Sequence, residues 1–148
     1  MHTFSNLVVH LIFGTHQRRP VISAEMRPEL RAYLGGLTRQ LKGKALTVNA
    51  VADHAHMLVS LRATIPVSDA MRMIKANSSR WINQKWRKVK FGWQQGYGAF
   101  SVSQSNVPAV REYIENQEEH HQKMSFETEM LTFLKKHGIE YDARYIWA

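Results

Sequence analysis

The run LVVHLIFG at residues 7 to 14 is apolar on both faces: Leu7, Val9, Leu11 and Phe13 alternate with Val8, His10, Ile12 and Gly14. This pattern predicts a strand buried on both sides and central in its sheet. Ser23 reads as the N-cap of a helix over 24–41, where Met26, Leu30, Tyr33 or Leu34, Leu37 and Leu41 recur at helical spacing. The pair Gly35-Gly36 weakens that helix or marks a close approach to a neighbour. Residues 45–52 and 54–61 read as second and third strands with a tight turn around Ala52 and Asp53, the third being the expected partner of the first. Ser68 caps a helix over about 69–88, with Met71, Ile74, Ser78 and Trp81 or Ile82 as its core stripe.

Residues 91–103, FGWQQGYGAFSVS, predict a fourth strand whose glycines at 92, 96 and 98 imply bulges or close contact with another backbone. A third helix opens at Asn106 or Val107, with Pro108 in its first turn, and runs through VREYIENQEEHHQ. Ser125 caps a last helix over roughly 126–137, stopped by Gly138, and the tail IEYDARYIWA is apolar enough to pack on something. The order strand, helix, strand, strand, helix, strand fits an α+β fold, a ferredoxin-like split βαβ arrangement with an antiparallel sheet and helices on one face. The third helix is then an addition that can cover the opposite face.

Composition narrows the chemistry. A chain of 148 residues that is 44% hydrophobic can bury a core, and one domain over 1–148 is expected. There is no cysteine, which excludes disulfides, thiolate metal sites and Cys nucleophiles. The apolar run Leu7–Phe13 has no basic residue before it and contains His10, so it reads as a strand rather than a signal peptide. No apolar stretch approaches the roughly 20 residues of a membrane helix, and a soluble, cytoplasmic protein is expected.

Net charge is +8, unevenly spread: residues 1–61 carry seven Lys/Arg against three Asp/Glu, 62–90 eight against one, and 91–148 five against eight. The basic middle favours a polyanionic partner, since each neutralised phosphate releases counterions; a solvated helix face is the plainer reading.

The run VADHAHMLVSL places two histidines inside a buried-looking strand. Residues two apart share a strand face, so His54 and His56 point the same way with Cβ atoms roughly 7 Å apart, a usable reach for one metal ion. Val51, Ala55, Met57, Val59 and Leu61 on the other face supply the core, leaving the histidine face for chemistry. Metal ligands and satisfied core histidines both fit the pair. On the third helix Tyr113 and Gln117 stand four apart on one face, with His120 and His121 a turn further and Val110 and Ile114 as the docking stripe. Packing and nucleophilic roles are both open to that tyrosine.

The elements HLIFGTHQRRP, DHAHMLVSL, GWQQGYGAFSVS, REYIENQ and LKKHGIEYDARYIW, in this order and over nearly the whole chain, resemble the HUH transposases with a single catalytic tyrosine. These are TnpA-like enzymes of the insertion-sequence two-hundred kind. The resemblance implies a metal-dependent transferase that nicks and rejoins single-stranded DNA at hairpin-bearing ends of a mobile element through a 5′-phosphotyrosine. It implies that His54 and His56 are metal ligands, that Gln117 is the third ligand and that Tyr113 is the nucleophile; His120 or His121 in place of Gln117 stays open. It implies Mg or Mn as the ion, although two imidazoles alone also suit Zn.

The same resemblance implies a homodimer, in which the tyrosine helix completes its own subunit's site or its partner's. One departure is His16-Gln17-Arg18, where such proteins often have Lys-Tyr-Arg. Arg18, Arg19, Arg72, Lys75, Arg80, Lys85, Arg87 and Lys88 are the candidate DNA contacts, and Trp81, Trp86 and Trp93 are base-stacking or core residues. Asp53, beside the first histidine, is expected to be a turn residue facing away, with a supporting role for His54 second. Two other readings remain: a non-catalytic ferredoxin-like nucleic-acid-binding module, and a domesticated HUH endonuclease acting on repeats.

Overall fold

The computed structural model describes residues 1–121 and 123–147, with the side chain of His120 outside the described part. Its elements are β1 (Leu7–Gly14), α1 (Arg27–Gln40), β2 (Lys44–Ala50), β3 (His54–Leu61), α2 (Val67–Lys85), β4 (Gly98–Val102), α3 (Val107–Glu115), α4 (Gln117–His121) and α5 (Phe126–Lys136). The strands form one antiparallel sheet in the order β2-β3-β1-β4, the ferredoxin-like arrangement expected from the alternation of the chain. β1 pairs on both sides, as its two apolar faces predict.

The two faces of the sheet are covered differently. On one, Leu11, Phe13, Ala55, Met57 and Val59 pack under Leu30, Leu34 and Leu37 of α1 and Ala70, Met71, Ile74 and Ile82 of α2. On the other, Val8 and Leu58 lie under Val107 and Ile114 of α3, while Ile12 and Phe100 lie under Phe126 and Met130 of α5. The histidine face is therefore buried rather than open, because the C-terminal helices close over it.

Several boundaries differ from the pattern in the sequence. α1 starts at Arg27, with Pro28 in its first turn, because Ser23 closes a separate turn onto Met26. α2 starts at Val67, one residue before Ser68, which makes no capping bond. β4 is only five residues long, since α2 catches the segment ahead of it: Lys75 bonds the carbonyls of Gln95 and Gly96, and Asn83 bonds both backbone groups of Phe91. That segment joins the end of β1 instead: Trp93 bridges to Thr15, and Gln94 donates its amide to the Gly14 carbonyl and accepts the Gly14 amide at its side-chain oxygen.

The third helix is broken into α3 and α4 at Asn116. Asn49 of β2 donates to the carbonyls of Ile114 (2.8 Å) and Glu115 (3.4 Å), which satisfies the end of α3 without a further turn. α5 matches its predicted range: Ser125 accepts from the Thr128 amide, and Gly138, at φ 65, closes a Schellman end in which the Ile139 amide bonds the Leu134 carbonyl.

Candidate metal centre and active site

The site is built on the diagonal geometry of the sheet. His54 pairs with Gly14, and His56 with Ile12 on one side and Asn49 on the other, so both imidazoles rise from the middle of the sheet. Gly14 matters for its missing Cβ, which would lie 2.3 Å from Gln94 Oε1 and 2.6 Å from the Phe126 ring. In that gap Phe126 stacks flat on His54, with centroids 4.1 Å apart and planes 3° from parallel. Both imidazoles are fully buried.

α3 and α4 bring the next residues. Gln117 Oε1 lies 2.9 Å from His121 Nε2 and 3.4 Å from His54 Nε2, and its amide donates to the Tyr113 carbonyl at 3.3 Å. The sequence pattern thus places Tyr113 and Gln117 beside the histidine pair, as expected from their four-residue spacing, even though the helix breaks between them.

Glu129 of α5 joins these groups. Its Oε1 lies 3.0 Å from His56 Nε2 and 3.2 Å from both His54 Nε2 and His121 Nε2, while its Oε2 accepts the Tyr113 hydroxyl. Three imidazole nitrogens therefore converge on one point. Ligand atoms of His54, His56, His121 and Glu129 all lie within 4.8 Å of one another, a group that could hold a metal ion. Three nitrogen donors and a carboxylate fit a divalent ion that accepts mixed N/O ligands, with Gln117 Oε1 in reach as a further oxygen.

Supporting groups hold the ligands. Asp53 lies in the bend before β3 rather than in the strand, so it does not face away: its Oδ1 is 2.7 Å from His54 Nδ1. His10 of β1 places Nε2 2.8 Å from His56 Nδ1. The electrostatics follow. Burial pushes His56 down to about 4, against the opposing pull of Glu129, and burial followed by the charge of His56 holds His10 well below its ordinary value. For His54 burial acts in the same direction, but its bonds to Asp53 and Glu129 outweigh it and the pKa rises. Burial and then the Glu129 carboxylate raise the Tyr113 phenol above its usual range. Burial would raise Glu129, yet its histidine partners hold it well below the carboxylate range.

Two openings reach the cluster. A cleft of about 380 Å³ is lined by His10, Val110, Tyr113, Glu129 and Phe133. A second, of about 470 Å³, passes Arg27, Asp53, His121 and Phe126.

The basic candidates lie elsewhere. α2, which carries Arg72, Lys75, Arg80 and Lys85, covers the opposite face of the sheet. Arg72 pairs with Asp69, Lys75 holds the Gln95–Gly96 backbone, Arg80 bonds Asn77 and Lys85 pairs with Glu29. Arg87 and Lys88 are exposed just after that helix, and Arg19 bonds Gln17. Arg18 reaches the C-terminal helices of the site side, pairing with Glu127 and standing 4.9 Å over the Trp147 ring. The tryptophans are packed: Trp81 stacks on Tyr33 and meets Trp86, and Trp93 donates to Ser78.

The sequence pattern does not mark Glu129 or His10 as site residues. His10 left a trace there, as the one polar side chain in an apolar strand; Glu129 left none among eight acids of the last third.

Residues 3–117 match the family model described as "Transposase IS200 like". The chain is 28% identical over 122 residues to the transposase for insertion sequence element IS200 of Salmonella typhimurium strain LT2, covering 78% of this chain and 80% of that one. It is 26% identical over 117 residues to the ISDra2 transposase TnpA of Deinococcus radiodurans, covering 75% and 84%. Two solved structures share the fold. One, from Deinococcus radiodurans and described as a transposase, has TM-score 0.66 at 22% identity, covering 79% of this chain and 95% of that one. The other is a REP-associated tyrosine transposase bound to a REP hairpin, with TM-score 0.61 at 14% identity, covering 82% and 72%. With more than three quarters of its length in the matched segment, this chain belongs to the IS200-like transposase family.

Proposed function

We propose that the cluster is the active site of a DNA strand transferase that nicks and rejoins single-stranded DNA at hairpin-bearing element ends. One observation carries this reading: a tyrosine hydroxyl and three imidazole nitrogens meet at one carboxylate in a site with two openings. His54 and His56 would hold the ion through Nε2, with Gln117 Oε1 as the third ligand and His121 and Glu129 in reach. Mg or Mn suits the oxygen-rich remainder of the sphere, and Zn suits it less. When bound, the ion polarises the scissile phosphate and stabilises the leaving oxygen.

Tyr113 attacks phosphorus as a bond from its oxygen forms and the bond to the 3′ oxygen breaks, leaving a 5′-phosphotyrosine and a free 3′-hydroxyl. Glu129 Oε2, already the acceptor of the phenol, is the group to hand for its proton. The phenol proton passes to that carboxylate as the oxygen–phosphorus bond forms, and the leaving 3′ oxygen takes a proton from solvent. The reverse reaction rejoins DNA without ATP because the phosphotyrosine keeps the bond energy.

A DNA partner is supported by the hairpin bound in the REP-associated neighbour, and that neighbour also favours a second reading in which the substrate is a repeat rather than an element end. The basic α2 face, with Arg72, Lys75, Arg80, Lys85, Arg87 and Lys88, would take phosphates away from the cut, and Arg18 and Arg19 nearer it. A homodimer through the open edge of β4 completes the proposal.

Incubation with Mg²⁺ or Mn²⁺ and hairpin oligonucleotides derived from the DNA flanking the gene should give a covalent protein–DNA adduct. Tyr113→Phe should abolish it, and His54→Ala with His56→Ala should reduce it at least about 100-fold. An adduct persisting in Tyr113→Phe would refute the nucleophile; full-rate cleavage by the double histidine variant would refute the ligands.

A further inference from the structure

His10 is the single polar side chain of β1, it is 1% exposed, and the proposed reaction gives it no task. Phe100, Tyr113 and Phe133 wall it in, with ring centroids 6.4, 6.5 and 5.2 Å away. A leucine would fill such a place without the cost of burying an imidazole. What His10 has instead is a partner: in the β1–β3 register it stands diagonal to His56 on the same sheet face, with Nε2 2.8 Å from His56 Nδ1 and ring centroids 5.0 Å apart.

A neutral imidazole carries one N–H, so it can ligate through Nε2 only if its proton sits on Nδ1. At His54 the Asp53 carboxylate enforces this, because it only accepts. At His56 the corresponding place is taken by His10. We propose that His10 is a positioning residue which accepts the Nδ1–H of His56 at its own Nε2 and thereby presents His56 Nε2 as a bare ligand nitrogen. The inference rests on the reading of His56 as a metal ligand.

The pair also explains why an imidazole rather than a second carboxylate stands there. The two facing nitrogens stand 2.8 Å apart, a hydrogen-bond distance with room for one proton between them. Against Glu129 Oε1, His56 donates from Nε2; the shared proton then belongs to His10 Nε2, and both rings are protonated on Nε2. As a ligand, His56 carries its proton on Nδ1 and His10 carries its own on Nδ1. The change removes one proton from His56 Nε2 and adds one at His10 Nδ1 while the shared proton moves from one nitrogen of the 2.8 Å contact to the other, leaving the charge of the pair unchanged. A carboxylate in place of His10 could accept but never donate, and it would add a buried negative charge. A primary amide could do both by flipping.

The test uses the whole protein and Mn²⁺ alone, titrated by the electron paramagnetic resonance of the free ion, with thermal unfolding as the check on folding. His10→Leu is expected to weaken Mn²⁺ binding about 10- to 100-fold, His10→Gln to restore it to within about threefold of the native protein, and His56→Ala to lose at least as much as His10→Leu. A folded His10→Leu that binds like the native protein, while His56→Ala does not, overturns the role of His10 and leaves the metal reading standing. Native-like binding by His56→Ala overturns both.

Nitrogen-15 histidine spectra of the native protein loaded with Zn²⁺ decide the matter even if His10→Leu fails to fold. A proton on His56 Nδ1 and on His10 Nδ1 supports the proposal; a proton on His10 Nε2 overturns it.

Discussion

The same two strands serve two faces that obey opposite rules. Beneath α1 and α2, the residues of β1 and β3 are Leu11, Phe13, Ala55, Met57 and Val59, all buried and all apolar. One residue out of step, beneath α3 and α5, the same strands present His10, Ile12, His54, His56 and Leu58. The period-2 geometry of a strand thus lets one face supply stability while the other carries polar groups that would be ruinous in a plain core. The two classes of group stay rigid together because they share a backbone, which is how a dry apolar layer fixes ligand positions on its reverse side.

The separation can be broken from the apolar side with the largest effect. Met57→Ala, next to His56 in the strand but on the other face, should cost about 3 kcal/mol of unfolding free energy while the folded protein keeps native Mn²⁺ affinity. Denaturant unfolding with the metal titration checks this, and a parallel loss of affinity would show that the faces are not independent. A smaller effect sharpens the polar side. Because burial sets the folded pKa of His56 at about 4 against an unfolded value near 6.5, the unfolded chain takes up the proton first, and stability falls as pH drops from about 6.5 to 4.

His10 acts in the same direction, while His54, raised in the folded state, acts against them. In His56→Gln the fall should be shallower over that window, and an unchanged slope measured by denaturant unfolding would contradict the assignment. The smallest effect lies at the edge of the histidine face: Asn49→Ala should cost about 1 kcal/mol and loosen the junction of α3 and α4, seen as faster amide exchange at 114–118.

The histidine pair, the tyrosine–glutamine spacing and the sheet order were legible because they depend on local periodicity. What was hidden depends on distant partners. No pattern near residue 116 ends a helix there; Asn49 ends it from β2. The turn at Ala52 and Asp53 and the start of the strand at His54 are where the pattern puts them; only the direction of the Asp53 side chain differs, because a residue in the bend need not follow strand alternation and its carboxylate reaches His54. Glu129 sits in the first turns of a helix where acids are ordinary, and nothing in its spacing marks it as the hub of three imidazoles. The matched family segment ends at Gln117, so His121 and Glu129 come from beyond it.

The absent side chain of Gly14 also makes the docking of α5 conditional on the sheet. The notch that receives Phe126 has Gly14 as one wall and His54 as its floor, and these residues meet only when β1 and β3 pair in register. The ring has nowhere to land before then. The seat of α5 therefore exists only in the paired sheet, and the same pairing sets the histidines that Glu129 of that helix meets.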